Sequence, residues 1–206
     1  MKEKLFPPNE RMPMWLAIAI TVVCSIPFGA WLDKFSLPLF VSFTVWGLYF
    51  LFGANIQGAV KVIIPCFIAG GFGALLVQMF AMALVKAFGS DFVSSFFNSK
   101  LDKADWGIVI AYFIGFCVVV GSMAFVPLFQ KGTLPFYTGI ALSLGVIFFG
   151  QAIGLGSAWL GEPTNTFVLA ISSYIHCVVA MILGCGLGWL SVTLNGAKAP
   201  AEAPAS

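Results

Sequence analysis

The chain has 206 residues, of which 60% are hydrophobic and 9% are charged, and its formal net charge is +2. Soluble domains are about 45–50% apolar and about 25% charged. This composition therefore excludes a water-soluble globule and favours a chain whose solvent is lipid. The positive charge is small and forms no basic cluster, so we expect no nucleic-acid partner.

Hydropathy divides the chain into long apolar runs. A helix needs about 20 mostly apolar residues to cross the hydrocarbon core. Six runs approach or exceed that length, at residues 14–32, 37–53, 62–88, 106–129, 134–153 and 166–194. They do not alternate as barrel strands do, and lipid tolerates no open backbone. The sequence thus predicts an all-α polytopic membrane bundle of six transmembrane helices at residues 14–194, between a cytoplasmic segment at 1–13 and a disordered tail at 195–206.

Prolines indicate where these spans bend or end. Pro27 and Pro127 lie inside or near the ends of spans, and each is predicted to bend its helix or end it. Pro65 is expected in the first turns of the third span. The second run is short, which leaves two alternatives open: a slightly tucked helix, or one that continues through residues 54–59.

Basic residues in short loops indicate the orientation. With the N-terminus inside, the inner side holds more Lys and Arg than the outer side, and the first span has its larger basic flank inside. We therefore predict that both termini are cytoplasmic. The inner set is Lys2, Lys4, Arg11, Lys61, Lys131 and Lys198, and the outer set is Lys34, Lys86, Lys100 and Lys103.

Two stretches of the chain resemble each other. "LPLFVSFTVWGLYFLFG" at residues 37–53 and "LPFYTGIALSLGVIFFG" at residues 134–150 both begin Leu-Pro and end Phe-Gly, 97 positions apart. Trp15 and Trp106 also open the first and fourth spans. Spans one to three thus echo spans four to six, and a three-span unit must be inverted relative to its copy, which predicts a 3+3 inverted repeat. Convergent use of Pro at helix starts and Gly at helix ends is the alternative.

Glycines recur in the third and sixth spans, including one Gly-x-Gly in each. Small residues let helix backbones approach closely, so helix packing is the favoured interpretation, and a narrow pore wall is the alternative. The predicted helix-packing residues are Gly70, Gly71, Gly73, Gly184, Gly186 and Gly188.

The interiors of the spans contain no Asp, Glu or Arg; Lys86 lies close enough to a span end to reach the interface, and His176 is the only histidine. Without Asp, Glu or Arg there, a carboxylate proton relay and a voltage sensor are disfavoured. One histidine and five cysteines without a C-x-x-C pair predict neither a metal site nor a haem, and we expect no cofactor. No nucleotide-binding or nucleophile motif is present, so we expect no enzyme.

Neutral polar and aromatic side chains would suit a small uncharged solute. Two amides follow the echoed Phe-Gly pairs, and Ser172 and His176 share one helix face because they are four residues apart. Amides at helix ends and a structural histidine are the alternatives. The predicted solute path comprises Asn55, Gln151, His176, Ser172, Tyr49 and Trp46.

One segment carries a family resemblance. "PLFVSFTVWGLYFLFGANIQGAVKVIIPCFIAGGFGALL" joins an aromatic span, a glycine-containing break, a lysine and a glycine-rich span. It resembles the small bacterial inner-membrane proteins grouped as domain-of-unknown-function family 1097. The resemblance implies a multi-span protein of the bacterial inner membrane without an established activity.

Two functions follow as hypotheses. The first is a channel or facilitator for a small, mostly neutral solute, which the echo and the uncharged spans favour. The alternative is a structural or accessory subunit of a membrane complex that packs through its Gly and Phe faces. Besides the lipid bilayer, the expected partners are the solute and a second copy of the chain in a homo-oligomer.

Overall fold

The structure is a computed structural model that describes residues 11–32, 35–88, 103–153 and 165–196. Of these residues 89% are helical, and none lies in a strand. The prediction of an all-α chain is confirmed at this level. Seven helices occur in the described ranges: α1 Met14–Ala30, α2 Leu39–Leu51, α3 Ile56–Phe88, α4 Lys103–Gly121, α5 Pro127–Lys131, α6 Thr133–Ile153 and α7 Thr166–Asn195.

Three helical segments are long and apolar enough to cross a membrane: Ile56–Phe88, Asp105–Ala124 and Thr166–Asn195. The other long helices are apolar but shorter over their described parts. At about 1.5 Å per residue, the 13-residue α2 is about 20 Å long, whereas a bilayer core is about 30 Å thick. The 33-residue α3 is about 50 Å long and exceeds that thickness.

The turn between α2 and α3 corrects one expectation. Gly53 and Ala54 adopt φ angles of +85° and +51°, which end the helical path of α2. Asn55 then begins α3, because its Oδ1 accepts the backbone N–H of Gly58 at 2.6 Å. The alternative in which the second span continues through residues 54–59 is therefore wrong. Those residues contain a sharp turn and the start of the next helix.

Pro65 lies deeper in its helix than the sequence suggested. We expected it in the first turns of a span beginning at residue 62, but α3 begins at Ile56. A π-helical segment, Ala59–Ile63, comes just before the proline, and the N–H of Ile64 donates to the carbonyl of Ala59. A proline ring collides with the carbonyl four residues earlier in an α-helix. The wider π turn relieves that collision, and the helix continues.

Pro127 ends a helix, as predicted, but it shortens the fourth span. The α-helix stops at Gly121 and a single 3₁₀ turn follows at Ser122–Ala124. Val126 is extended, with φ −115° and ψ 105°, because the residue before a proline disfavours the helical conformation. Pro127 is then the first residue of α5, so the span expected at 106–129 is two helices.

The chain divides into two compact units, and the boundaries fall inside helices. Unit 1 consists of the chain up to Pro65 and from His176 onward, and unit 2 is Cys66–Ile175. Unit 1 therefore contains α1, α2, the first ten residues of α3 and the later part of α7. Unit 2 contains α4, α5, α6, the later part of α3 and the first ten residues of α7.

Both cores are apolar but include neutral polar side chains. In the described part of the chain, Asp105 in the first turn of α4 is the one buried acid. Hydroxyl and amide groups supply most of the buried polarity, so the units can satisfy these groups through helix-to-helix hydrogen bonds. The neutral set, each at most 3% exposed, is Thr21, Ser25, Ser42, Ser191 and Asn195 in unit 1 and Gln78, Ser143, Ser172 and Ser173 in unit 2.

Candidate solute site and helix-packing surfaces

One face of α2 carries a row of aromatic rings. The ring centroids of Phe43 and Phe50 lie 6.1 Å and 6.5 Å from that of Trp46. Trp46 is only 6% exposed, whereas Phe43 is 38% exposed. The indole Nε1 of Trp46 is buried and has no hydrogen-bond partner in the described structure. A buried donor left without an acceptor costs about 1–3 kcal/mol, so this group needs an explanation.

The neighbouring face of α2 packs against α7 within unit 1. The Ser42 hydroxyl donates to the carbonyl of Ala180 at 2.8 Å. A Cβ atom added to Gly184 would collide with the Ser42 carbonyl oxygen, and one added to Gly188 would lie 2.6 Å from the Tyr49 ring. Small residues at four-residue intervals thus let α7 touch the backbone of α2. Since later residues of α7 meet later residues of α2, the two helices run parallel.

His176 connects α7 to the segment that precedes α2. Its Nε2 lies 2.7 Å from the carbonyl oxygen of Ser36, and its side chain is 1% exposed. In unit 1 the histidine therefore holds the start of α2 against α7, the role of a structural histidine. Ser172, which is fully buried, belongs to unit 2. The two residues share a helix but lie in different units.

Polar contacts also join α1 to α7. The Ser191 hydroxyl lies 3.1 Å from that of Thr21, which places the middle of α1 beside the last turns of α7. At the end of α7, the Asn195 side chain donates to the carbonyl of Met12 at 2.8 Å, and the N–H of Arg11 donates to the Asn195 carbonyl at 2.9 Å. The start of α1 therefore lies beside the end of α7, and these two helices are antiparallel.

In unit 2, glycines bring α3 against α6. A Cβ added to Gly70 would collide with the Phe136 carbonyl oxygen, and one added to Gly139 would collide with the Phe67 carbonyl oxygen. Each helix thus uses a glycine to reach the backbone of the other. One turn further, Gly71 leaves room for the Ser143 hydroxyl. Without a Cβ at these positions, the two helices approach more closely than ordinary side chains allow.

Further along its length, α3 packs on α4. A Cβ added to Gly73 would lie 2.6 Å from Val119, and one added to Gly115 would lie 2.9 Å from Val77. The hydroxyl of Tyr112 donates to Oε1 of Gln78. Further along, buried Ala81 and Ile108 continue the seam. Because the numbering rises on α3 as it falls on α4, these helices are antiparallel.

The positions of Asn55 and Gln151, the two amides of the predicted solute path, give no support to that path. Asn55 is exposed and caps α3 through its side chain, as the helix-end alternative describes. Gln151 lies in α6, and its side chain is outside the described part of the chain. Trp46 and Tyr49 of the predicted path lie on one helix, and both are buried.

Five of the six predicted packing glycines lie in the contacts described above. Gly186 differs, because it is exposed and a Cβ added there would meet nothing within 4 Å. Gly188, the second glycine of the same Gly-x-Gly motif, is buried on nearly the opposite face of the helix. The Gly-x-Gly spacing places its two members on different helix faces, so the pattern could not distinguish them.

Other residues in these contacts were not predicted from the sequence. Ala180, Gly184 and Gly188 follow the small-xxx-small spacing, which was the available signal for the α2 contact. Gly139 and Ser143 of α6 share the same spacing, but neither was predicted as a packing residue. The hydroxyls of Thr21 and Ser191 gave no signal, because Thr and Ser in apolar helices commonly bond their own helix.

The described residues contain no group of three His, Cys, Asp or Glu side chains that could hold a metal ion. None of the five cysteines forms a disulfide, and those at positions 24 and 117 are exposed on their helices. Comparisons with family models, with curated proteins and with solved structures found no match to this chain. The resemblance to family 1097 therefore stays an expectation.

Proposed function

We propose that the chain is a six-span protein of the bacterial inner membrane, built from an inverted 3+3 repeat, that acts as a channel or facilitator for a small neutral solute. In this proposal it is not an enzyme, and both termini are cytoplasmic. The observation that carries the proposal is the way in which helices are shared between the two compact units.

Each unit combines helices of both predicted halves. Unit 1 contains the first two helices of the first half and most of α7, the last helix of the second half. Unit 2 contains α4 and α6 of the second half and most of α3, the last helix of the first half. In both α3 and α7 the boundary follows the tenth residue of the helix. Two copies of one plan would produce this exchange, which favours the repeat over convergent Pro and Gly usage.

Polar contacts follow the same plan. Thr21 contacts Ser191, and Tyr112 contacts Gln78, so each pair joins the first helix of one half to the third helix of the other. Thr21 and Tyr112 each lie six residues after the tryptophan that opens its span. Residues at the same distance from the two tryptophans thus make corresponding contacts.

Helix directions correspond as well, although the aligned Gly-x-Gly pairs do not: Gly71 meets Ser143, whereas its counterpart Gly186 meets nothing within 4 Å. Gly184 on α7 meets the backbone of α2, and Gly70 on α3 meets the backbone of α6. In each unit the third helix is parallel to one partner and antiparallel to the other. Within unit 1, α1 and α2 therefore run in opposite directions, and within unit 2, α4 and α6 do, as the proposed alternate crossings require. The short α2 then crosses with help from the turn at Gly53, or where the bilayer thins around it.

The chemistry of the interior indicates the class of solute. Buried polarity in the described helices comes mainly from hydroxyls, amides and one imidazole; the one buried acid, Asp105, lies in the first turn of α4, and the spans hold no Arg or Glu. Neutral donors and acceptors can replace the water around an uncharged solute, but they supply no counter-charge for an ion. Binding must also be weak enough for the solute to leave, which single neutral hydrogen bonds allow.

Flux into liposomes tests the proposal. Purified protein is reconstituted, and stopped-flow light scattering follows the volume recovery after mixing with glycerol, urea, acetate or methylammonium. We expect recovery with at least one neutral solute to be faster than in protein-free vesicles, and recovery with the charged solutes to be unchanged. Equal rates in all cases, with protein insertion verified by protease protection, would reject the channel.

One observation favours the second candidate, an accessory subunit. Only 6% of the apolar window of α4 is buried, compared with 44% in α3 and in α7. Phe113 and Val118 are about 70% exposed on this helix. Lipid covers such a surface in a solitary bundle, and a partner or a second copy covers it in a complex. Cross-linking from Phe113→Cys in native membranes separates the two, because a single discrete adduct favours the accessory role.

A further inference from the structure

We infer that the indole N–H of Trp46 is the hydrogen-bond donor that selects the solute, and that the solute class is small, uncharged molecules with an oxygen acceptor and an apolar face. This inference rests on the proposed function, and it adds to it a residue, an atom and a solute class. The observation behind it is the buried Nε1 atom, which has no hydrogen-bond partner among the described residues.

The unmet donor distinguishes Trp46 from the polar groups around it. Nearby hydroxyls have acceptors: Ser42 donates to Ala180 at 2.8 Å, and Thr44 donates to Phe40 at 2.7 Å. Buried polar groups are hydrogen-bonded in the large majority of cases, and an unmet one in a lipid-embedded helix has no water to turn to. A transient acceptor that visits the site would explain why a tryptophan occupies this position where phenylalanine would pack as well.

Trp46 stands at the edge of the packed face of α2. At about 100° per residue, Ser42, Val45 and Tyr49 cluster on the side that meets α7, and Trp46 lies at the margin of this cluster. Phe43 and Phe50 flank its ring on the outer side. Because Phe43 is 38% exposed, rotation of its ring opens a route to the indole without moving the backbone.

The groups around the Trp46 indole indicate which chemical groups the solute must carry. An indole N–H donates and cannot accept, so the solute must carry an acceptor such as a hydroxyl, carbonyl or ether oxygen. Phenylalanine rings on both sides favour a partner with an apolar face. No lysine, arginine, aspartate or glutamate occurs anywhere in α2, which leaves a charged solute without a counter-ion. Glycerol and other short polyols fit these conditions.

Indole NMR tests the binding step separately from transport. The full chain, labelled with ¹⁵N-tryptophan and held in lipid nanodiscs, gives one indole N–H signal for each of its six tryptophans. The Trp46 signal is the one missing from the Trp46→Phe spectrum. We expect glycerol to shift that signal in a saturable way and to leave the other five in place, and propane, which has no acceptor, to shift none. A Trp46 signal that does not respond to glycerol overturns the inference.

Flux of the same variant tests its consequence. Trp46→Phe keeps an aromatic ring and removes the donor, and we expect glycerol flux to fall roughly fivefold to tenfold. Trp189→Phe is the matched control, because that tryptophan is 48% exposed and its loss should leave flux unchanged. Wild-type flux that persists undiminished in Trp46→Phe overturns the inference and leaves the channel intact. A saturable Trp46 shift without any wild-type flux supports the binding site and rejects the channel.

Discussion

At the residue scale, single missing Cβ atoms decide how closely the helices pack. Gly184 and Gly186 lie two residues apart in α7, yet one touches the backbone of α2 and the other faces open space. The sequence predicted both as packing residues, because glycine content does not reveal which helix face meets a neighbour. Only the placement of α2 against α7, a long-range contact, separates them.

Gly184→Ala should destabilise the protein. The added methyl group collides with the Ser42 carbonyl oxygen, and backbone cannot move aside as a flexible side chain can. We expect a loss of about 1–3 kcal/mol in unfolding free energy, as overpacking usually causes. Gly186→Ala is the control, with no loss and a small gain from helix propensity. Reversible unfolding in mixed detergent micelles measures both, and equal effects of the two variants would contradict the α2–α7 contact.

The same reasoning gives a second pair in unit 2. Gly139→Ala brings a methyl group against the Phe67 carbonyl, whereas a methyl at Gly145 in the same helix meets nothing within 4 Å. Thermal unfolding, followed by the accessibility of buried cysteines to a thiol-reactive dye, should occur at a lower temperature for Gly139→Ala alone. If Gly145→Ala is equally harmful, α6 does not present the Gly139 face to α3.

At the scale of helices, the sequence predicted which segments are helical better than it predicted where each helix begins and ends. The fifth and sixth spans were expected at 134–153 and 166–194, and the helices are Thr133–Ile153 and Thr166–Asn195. The errors lie where backbone geometry overrides hydropathy. Positive φ at Gly53 ends α2 inside an apolar run, and the π turn before Pro65 lets α3 begin earlier than a proline suggests. Hydropathy averages over such turns and cannot detect them.

Asn55 provides a test at the start of α3. Because its side chain caps the helix, Asn55→Ala should cost about 1 kcal/mol of unfolding free energy, and Asn55→Ser, which keeps a capping oxygen, should cost much less. If Asn55 instead acts in the solute path, glycerol flux will fall in both variants while stability is unchanged. Measuring unfolding and flux on the same two preparations decides between these roles.

Helix-to-helix hydrogen bonds should couple α1 to α7. A double-mutant cycle of Thr21→Val and Ser191→Ala should give a coupling of about 0.6 kcal/mol, the usual size of such bonds in membranes. The hydroxyls also bond their own helices, through the carbonyls of Ala17 and Leu187, which keeps the value modest. The reference cycle is Thr21→Val with Thr193→Val, since Thr193 is exposed and bonds only its own helix. A reference coupling as large as that of the Thr21–Ser191 pair would count against the contact.

At the scale of the whole molecule, composition was sufficient to predict an apolar, helical chain suited to a membrane. The similarity of residues 37–53 to 134–150 was sufficient to suggest a repeat. Neither could predict the division into units, because the exchange of α3 and α7 depends on contacts between residues far apart in sequence, from 34 positions for Tyr112 and Gln78 to 170 for Thr21 and Ser191. The candidate site was only partly predictable. Trp46 was recognised from its mid-span position, but its unmet donor is visible only once its neighbours are placed.

The ends of the described chain should face one side of the membrane. Arg11 and Asn195 are hydrogen-bonded backbone to backbone at 2.9 Å, so α1 starts where α7 ends. In a cysteine-free background, Arg11→Cys and Gly196→Cys should both resist an impermeant maleimide in intact cells and react after lysis. Labelling of one site alone in intact cells would contradict this arrangement.

The central claim is an inverted repeat, and the relative sidedness of Arg11 and Lys103 tests it most directly. These residues lie at the starts of the first and fourth spans, so an inverted three-span copy must place them on opposite faces. The account predicts that Lys103→Cys reacts with an impermeant maleimide in intact cells, whereas Arg11→Cys reacts only after lysis. Labelling of both positions from the same side would contradict the inverted repeat and remove the main support for the proposed channel.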